Sequence, residues 1–191
     1  MSARERILDA AADIMRRRGA AAATTKEIAK AAGYSEALLY KHFRDKEELM
    51  LRVLKERMPA FVSRGVPGEG TVESNLVAVV GGGVHFYQQS FPMMASMAAQ
   101  PRLMAASREA LRKYDAGPHE PVAALTRYLD AERDLGRVAA DADTGAVAAL
   151  LMGACFQQGF LRYYTVGADG PAPDEAAARA LVGPVLGGLL P

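Results

Sequence analysis

Residues 24–49 read TTKEIAKAAGYSEALLYKHFRDKEEL, and most of what the chain can be follows from this stretch. Thr24 followed three residues later by Glu27 is the signature of a capping box, in which each side chain satisfies a free amide of the other's segment. It predicts a short helix that buries Ile28 and Ala29 and stops in a tight turn at Gly33. Ser35 is placed to cap a second helix of roughly seven residues. Asp45 caps a third, with Glu47 and Glu48 near its positive end. Two short helices meeting at a glycine, with small Ala29 where they cross, have helix-turn-helix spacing.

In that arrangement the second helix enters the major groove of DNA and its first residues reach the base edges. The pattern predicts that Leu39 and Phe43 face inward. Ser35, Glu36, Ala37, Tyr40 and Lys41 then face outward, and Leu38 fits either side. Tyr40 and His42 can donate to phosphate oxygens, and Lys46 adds a charged contact. Free amides at the starts of the helices following Thr24 and Asp45 suit phosphate as well.

The preceding residues extend the pattern. Ile7, Ala11, Ile14 and Met15 fall at helical spacing over 4–18, and Gly19 ends that run. Leu49, Val53 and Met58 form the inner stripe of the helix after Asp45, which Pro59 ends or kinks. The amino-terminal segment resembles the DNA-binding module of TetR-family (tetracycline-repressor-like) transcriptional regulators. The resemblance is carried by Ile7-Leu8-x-Ala10-Ala11, Gly19, the Thr-led Ile28-Ala29 helix, Ala32-Gly33-x-Ser35, Leu39-Tyr40-x-His42-Phe43, Lys46 and Leu49, and it covers residues 4–55. It implies an all-α homodimer that binds a near-palindromic double-stranded DNA operator and releases it when a small molecule enters the carboxy-terminal domain. It also implies phosphate or cap roles for Thr24 and Thr25, phosphate contacts by Tyr40, His42 and Lys46, and a base-facing surface at Ser35, Glu36, Ala37 and Leu38. The family often has a basic residue, a glycine and a small polar residue where Glu36, Ala37 and Leu38 stand here. Glu36 suits a cytosine amino group and Ala37 or Leu38 a thymine methyl; alternatively Glu36 only weakens non-specific binding.

Composition agrees with this division. The chain has 191 residues, one cysteine, no tryptophan and 24% charged residues. Half of its residues are hydrophobic, enough for a buried core. A lone Cys155 excludes an intrachain disulfide and a multi-cysteine metal site, and fits a reducing compartment. Residues 1–57 carry a net charge of +4 and residues 58–191 a net charge of −3. A basic amino-terminal third on a mildly acidic body is the asymmetry of a chain whose one end meets a polyanion. Charges at Arg4, Glu5, Arg6 and Asp9 are incompatible with a signal peptide, so the expected location is cytoplasmic. The uncharged run 144–161 approaches the ~18 residues of a membrane span, but Gln157 and Gln158 interrupt it and its apolar part, 146–156, is too short. It reads as a buried helix, with no membrane partner.

Beyond a Gly/Pro loop at 65–70 the pattern is again helical: 71–90, 92–99, 101–115, 119–134, 143–164 and 174–190. The expected division is a DNA-binding domain over 1–47 and a helical effector-binding and dimerisation domain over 48–191. Glycines at 81, 82 and 83 either break the first of these helices or clear space beside a cavity or a close neighbour. The 143–164 helix is apolar on two sides, with Met152, Phe156, Phe160 and Tyr163 on one and Val147, Leu151, Ala154 and Leu161 opposite. The second side, with Leu181, Val185 and Leu189 of the last helix, is the predicted dimer face, two helices from each copy making a four-helix bundle. Phe86, Tyr87, Met97, Met104, Met152, Phe156 and Gln157 form the predicted pocket for a largely apolar effector. No metal or cofactor site and no catalytic constellation is expected: Cys155 has no neighbouring histidine in the sequence, and no paired-acid or HExxH spacing occurs. Two other readings stay open, a DNA-binding regulator without a small-molecule effector and an all-α enzyme built on His85 or His119.

Overall fold

The computed structural model describes residues 1–57, 65–113 and 117–191. Among the described residues it is all-α: α1 (Ala3–Ala22), α2 (Thr25–Ala32), α3 (Glu36–His42), α4 (Lys46–Glu56), α5 (Val72–Ala98), α6 (Pro101–Lys113), α7 (Glu120–Asp134), α8 (Thr144–Val166) and α9 (Glu175–Leu186). The caps fall where the side chains dictate. Thr24 and Glu27 close a reciprocal capping box at α2, Ser35 accepts from the Leu38 amide at α3, and Asp45 accepts from the Glu48 amide at α4. Asp143 starts α8 and Asp174 starts α9 in the same way. The expectations for Met58 and Pro59 lie outside the described residues.

Gly19 is a break inside α1 rather than its end. It takes a left-handed φ of 77°, and the chain resumes helical geometry to Ala22. Two constraints meet there, because a Cβ at this position would lie 2.7 Å from the Ser96 Cβ and 3.1 Å from the Pro92 carbonyl oxygen. Beyond the break, the Ala21 amide donates to Ser96 Oγ at 2.8 Å.

The chain forms two compact units. One holds α1 to α4, the end of α5 from Gln89 onward, and α6; the other holds α5 up to Gln88 with α7, α8 and α9. The division expected at residue 47 therefore passes through a packed unit. The reason is α4, which buries Leu49, Met50 and Val53 and is tied to α1 by charge. Arg4 grips Glu56 with two hydrogen bonds of 2.9 and 2.7 Å, while Arg57 pairs with Glu5 and, at 2.6 Å, with Asp9. The Glu56 carboxyl is held below its ordinary range first of all by its bond from Arg4.

In the other unit, Leu76, Val80 and Val84 of α5 pack with Leu125 and Leu129 of α7, Leu151, Met152 and Cys155 of α8, and Val182 and Leu189 of the carboxy-terminal region. The helices expected separately over 71–90 and 92–99 are one helix, and neither the three glycines nor Pro92 breaks it. Gly81 and Gly82 instead line an open groove of about 480 Å³, together with Ala78 and His85 of α5 and Pro173 and Ala178 at the start of α9. At Gly159 of α8 a Cβ would lie 2.5 Å from the Tyr87 Cβ and 2.9 Å from the Val84 carbonyl oxygen, so the two helices touch backbone to backbone.

Candidate nucleic-acid interface

The recognition surface is built by pinning one side of α3. Leu39 is fully buried and Phe43 is 1% exposed, with the Arg4 guanidinium 5.6 Å from the Phe43 ring centre. Gly33, at a φ of 80°, donates its amide to the carbonyls of Ala29 and Lys30 and turns the chain between α2 and α3. With that side fixed, Ser35, Ala37, Tyr40, Lys41 and His42 are exposed and Glu36 and Leu38 half-buried. Thr24 is exposed at the start of α2 and Thr25 half-buried beside it.

Three of these side chains are joined by bonds that connect α2 to α3. Thr25 Oγ1 donates to Glu36 Oε1 at 2.6 Å and lies 3.3 Å from the Tyr40 hydroxyl. Nothing in the spacing of the sequence announces this chain, since its members are 11 and 15 residues apart. Lys46 is half-buried, and burial is the main cause holding its ammonium below the ordinary lysine range, with Glu47 opposing. A phosphate beside Lys46 would supply the countercharge that burial denies it. Lys46→Ala is expected to weaken binding to all duplexes and to lower the slope of log K against log salt by about one. Fluorescence anisotropy titrations between low and moderate salt measure it, and an unchanged slope removes Lys46 from the phosphate contacts.

The residues predicted for a pocket are divided between the two units. Phe86 and Tyr87 stack edge to face at 5.4 Å, and Tyr87 meets Phe156 in the same way at 5.2 Å. Met152 belongs to the core of that unit, while Met97 and Met104 belong to the other unit, where Met97 sulfur accepts from Ser107 Oγ. Phe156 and Gln157 are exposed. Of the predicted dimer residues, Leu151 and Leu189 are buried in their own protomer's core, and Val147, Leu181 and Val185 pack partly against it. Ala154 is half-buried and Leu161 exposed. The outward face of α8 instead carries Leu150, Phe156, Phe160, Leu161 and Tyr164. By length and composition α8 could cross a membrane, yet Ala148, Leu151, Met152, Cys155 and Gly159 lie buried along its inner face. Cys155 is sealed in the core, and burial pushes its thiol up to about 12, which keeps it protonated and unreactive at neutral pH.

A capped two-helix turn, pinned from behind and showing hydroxyl, imidazole and ammonium groups outward, defines a helix-turn-helix DNA-binding protein. Residues 7–53 match the tetR family of bacterial regulatory proteins, so this segment is a DNA-binding module of the TetR type. A curated relative, the fatty acid metabolism regulator protein of Bacillus subtilis, is 29% identical over 77 residues, which is 39% of this chain and 40% of that protein. The match thus spans well under two thirds of the relative's length. Among solved structures, Salmonella enterica GusR is similar over 98% of this chain and 95% of its own, with a TM-score of 0.70 and 23% identity. The regulator FadR from Bacillus subtilis, solved in complex with stearoyl-CoA, is similar over 96% and 98%, with a TM-score of 0.66 and 17% identity. At identities this low, the structural likeness shows a shared fold alone.

Proposed function

We propose that this protein is a dimeric repressor that leaves a near-palindromic operator when a largely apolar small molecule binds its carboxy-terminal helical part. The observation that carries the reading is α3, buried through Leu39 and Phe43 and exposed through Ala37, Tyr40 and Lys41. Ser35 to Leu38 face the bases, and Thr24, Thr25, Tyr40, His42 and Lys46 hold the phosphates. In the dimer the two recognition helices sit about one DNA turn apart, roughly 34–36 Å, in successive major grooves. An effector acts by favouring a state in which that spacing is lost. A hundredfold release of DNA requires ~2.7 kcal/mol of difference in effector affinity between the two states. The likeness to a regulator solved with stearoyl-CoA supports an apolar effector.

The second copy is assigned to the outward face of α8, where Leu150, Phe160, Leu161 and Tyr164 recur at helical spacing with exposures of 66, 39, 43 and 79%. An apolar strip of this extent calls for a cover. Ala176, Ala180 and Gly183 are exposed along one strip of α9, small enough for a neighbouring helix to approach. Phe160→Lys is expected to yield folded monomers by light scattering and to lose operator affinity in proportion; a variant that remains dimeric removes this face from the interface.

The test of the function is binding of the purified protein to its own upstream intergenic DNA, with scrambled duplex as control. Tight, salt-sensitive and sequence-selective binding is expected, followed by release in a screen of apolar compounds. Equal weak binding to both duplexes, repeated with a randomised genomic library, would overturn it.

A further inference from the structure

The chain from Tyr40 through Thr25 to Glu36 has a direction, and the direction has a consequence for DNA. Thr25 has a single hydroxyl proton, and the 2.6 Å contact to Glu36 Oε1 takes it, because a carboxylate can only accept. The 3.3 Å contact between the two hydroxyls must then run from Tyr40 to Thr25. Both protons needed for phosphate oxygens are thereby turned inward, toward an internal carboxylate. Glu36 in turn stands at the first position of α3, where a side chain reaches the base edges in the major groove.

We propose that Glu36 is a specificity-determining residue that occupies the phosphate-contact hydroxyls in the free protein and is released onto a cytosine amino group when DNA binds. The inference rests on the DNA-binding reading above and deepens it. An arriving phosphate accepts the hydrogen bonds of the Thr25 and Tyr40 hydroxyls, which keep their protons, and this frees the carboxylate. The freed carboxylate is an acceptor beside the bases, and the exocyclic amino group of cytosine is the major-groove donor that it matches. A sequence without cytosine at that position leaves the charge unpaired among phosphates, so the bond to Thr25 is broken with no return. Non-specific DNA is penalised, and the operator is not.

The experiment compares wild type, Glu36→Ala and Glu36→Asp on duplexes with a randomised central segment, by anisotropy against the unselected pool and by sequencing the bound fraction. Glu36→Ala is expected to bind the unselected pool about tenfold tighter, the order of a hydrogen bond to a charged group, and its selected motif loses a cytosine that the wild-type motif has in each half-site. Glu36→Asp keeps the charge but withdraws it by one methylene from Thr25, and is expected to bind the pool more tightly than wild type as well. An unchanged pool affinity or an unchanged motif for Glu36→Ala overturns the proposal while leaving DNA binding intact. Tightening by Glu36→Ala with none by Glu36→Asp also overturns it, since a simple coulombic effect then suffices. If the wild type enriches no sequence and its binding ignores salt, the DNA-binding reading fails and takes this one with it. Ser35, Leu39 and Phe43, which hold α3, are untouched in both variants.

Discussion

Ala37→Glu is expected to abolish operator binding, with at least a hundredfold loss of affinity, or ~2.7 kcal/mol, while the protein stays folded. Ala37 is exposed in the first turn of α3, and its small side chain lets the helix sit deep in the groove. Glutamate there adds bulk against the base edges and a second negative charge beside Glu36, facing a duplex that carries one negative charge per ~1.7 Å of axis. The same substitution is favourable to the helix itself, because an acidic side chain in the first turn offsets the helix dipole. Lost binding therefore cannot be ascribed to a melted helix. Anisotropy, paired with circular dichroism and light scattering, makes the measurement; unchanged affinity in a normal, folded dimer would remove α3 from the groove.

The second large effect is on stability and concerns Glu132. This carboxylate is fully buried, yet it accepts from the Tyr128 hydroxyl at 2.8 Å, pairs with Arg137 Nε at 3.1 Å and accepts the Gly68 amide at 3.4 Å. Tyr128 in turn accepts from Asn75 Nδ2 at 2.9 Å, so one carboxylate joins α7, the start of α5 and the 65–70 loop. Burial is the main reason that the Tyr128 hydroxyl is pushed up to about 12, which keeps it a proton donor to Glu132 at any ordinary pH. Removing the carboxylate leaves the Tyr128 proton and the Arg137 guanidinium facing a low-dielectric gap. Breaking a buried pair in this way costs about 3–5 kcal/mol, and Arg137, being partly exposed, places Glu132→Ala near the lower end. A loss of about 3 kcal/mol corresponds to a fall in melting temperature of roughly 6–12 °C for a chain of this size. Glu132→Gln, which retains an acceptor for Tyr128 but not the charge, should fall between. A melting temperature within about 2 °C of wild type for the alanine variant would show that Tyr128 and Arg137 find other partners.

The recognition module was legible because its determinants are local. A cap and its amide lie within three residues, a left-handed turn needs one glycine, and Leu39 and Phe43 are one helical turn apart. What could not be read depends on partners far along the chain. Pro92 costs a helix ~3 kcal/mol when judged by propensity, which favours a stop. In the fold, α5 passes through it, with Gly19 seated against the Pro92 carbonyl and Ser96 taking the Ala21 amide. The phase of α8 was ambiguous for another reason. Both of its sides are apolar, and periodicity alone does not say which meets the protomer's own core. The small residues held the answer, since Ala148, Cys155 and Gly159 share a face with Leu151 and Met152 and allow α8 to close on α5. The link from Thr25 to Glu36 was invisible for a third reason: it depends on the angle between two helices, which spacing does not fix.

The unit that carries the recognition helix is not a continuous stretch of polypeptide. Its last pieces, the end of α5 and α6, are synthesised only after the intervening segment. A fragment ending at Arg57 would leave Ala21 without Ser96 and Gly19 without its cover, so it begins life with an open flank. Exchanging operator specificity between relatives by cutting the gene after α4 would carry the same defect into every chimera. Transplanting the exposed residues of α3 alone respects the seam that the fold draws, and swapping the first third of the gene does not.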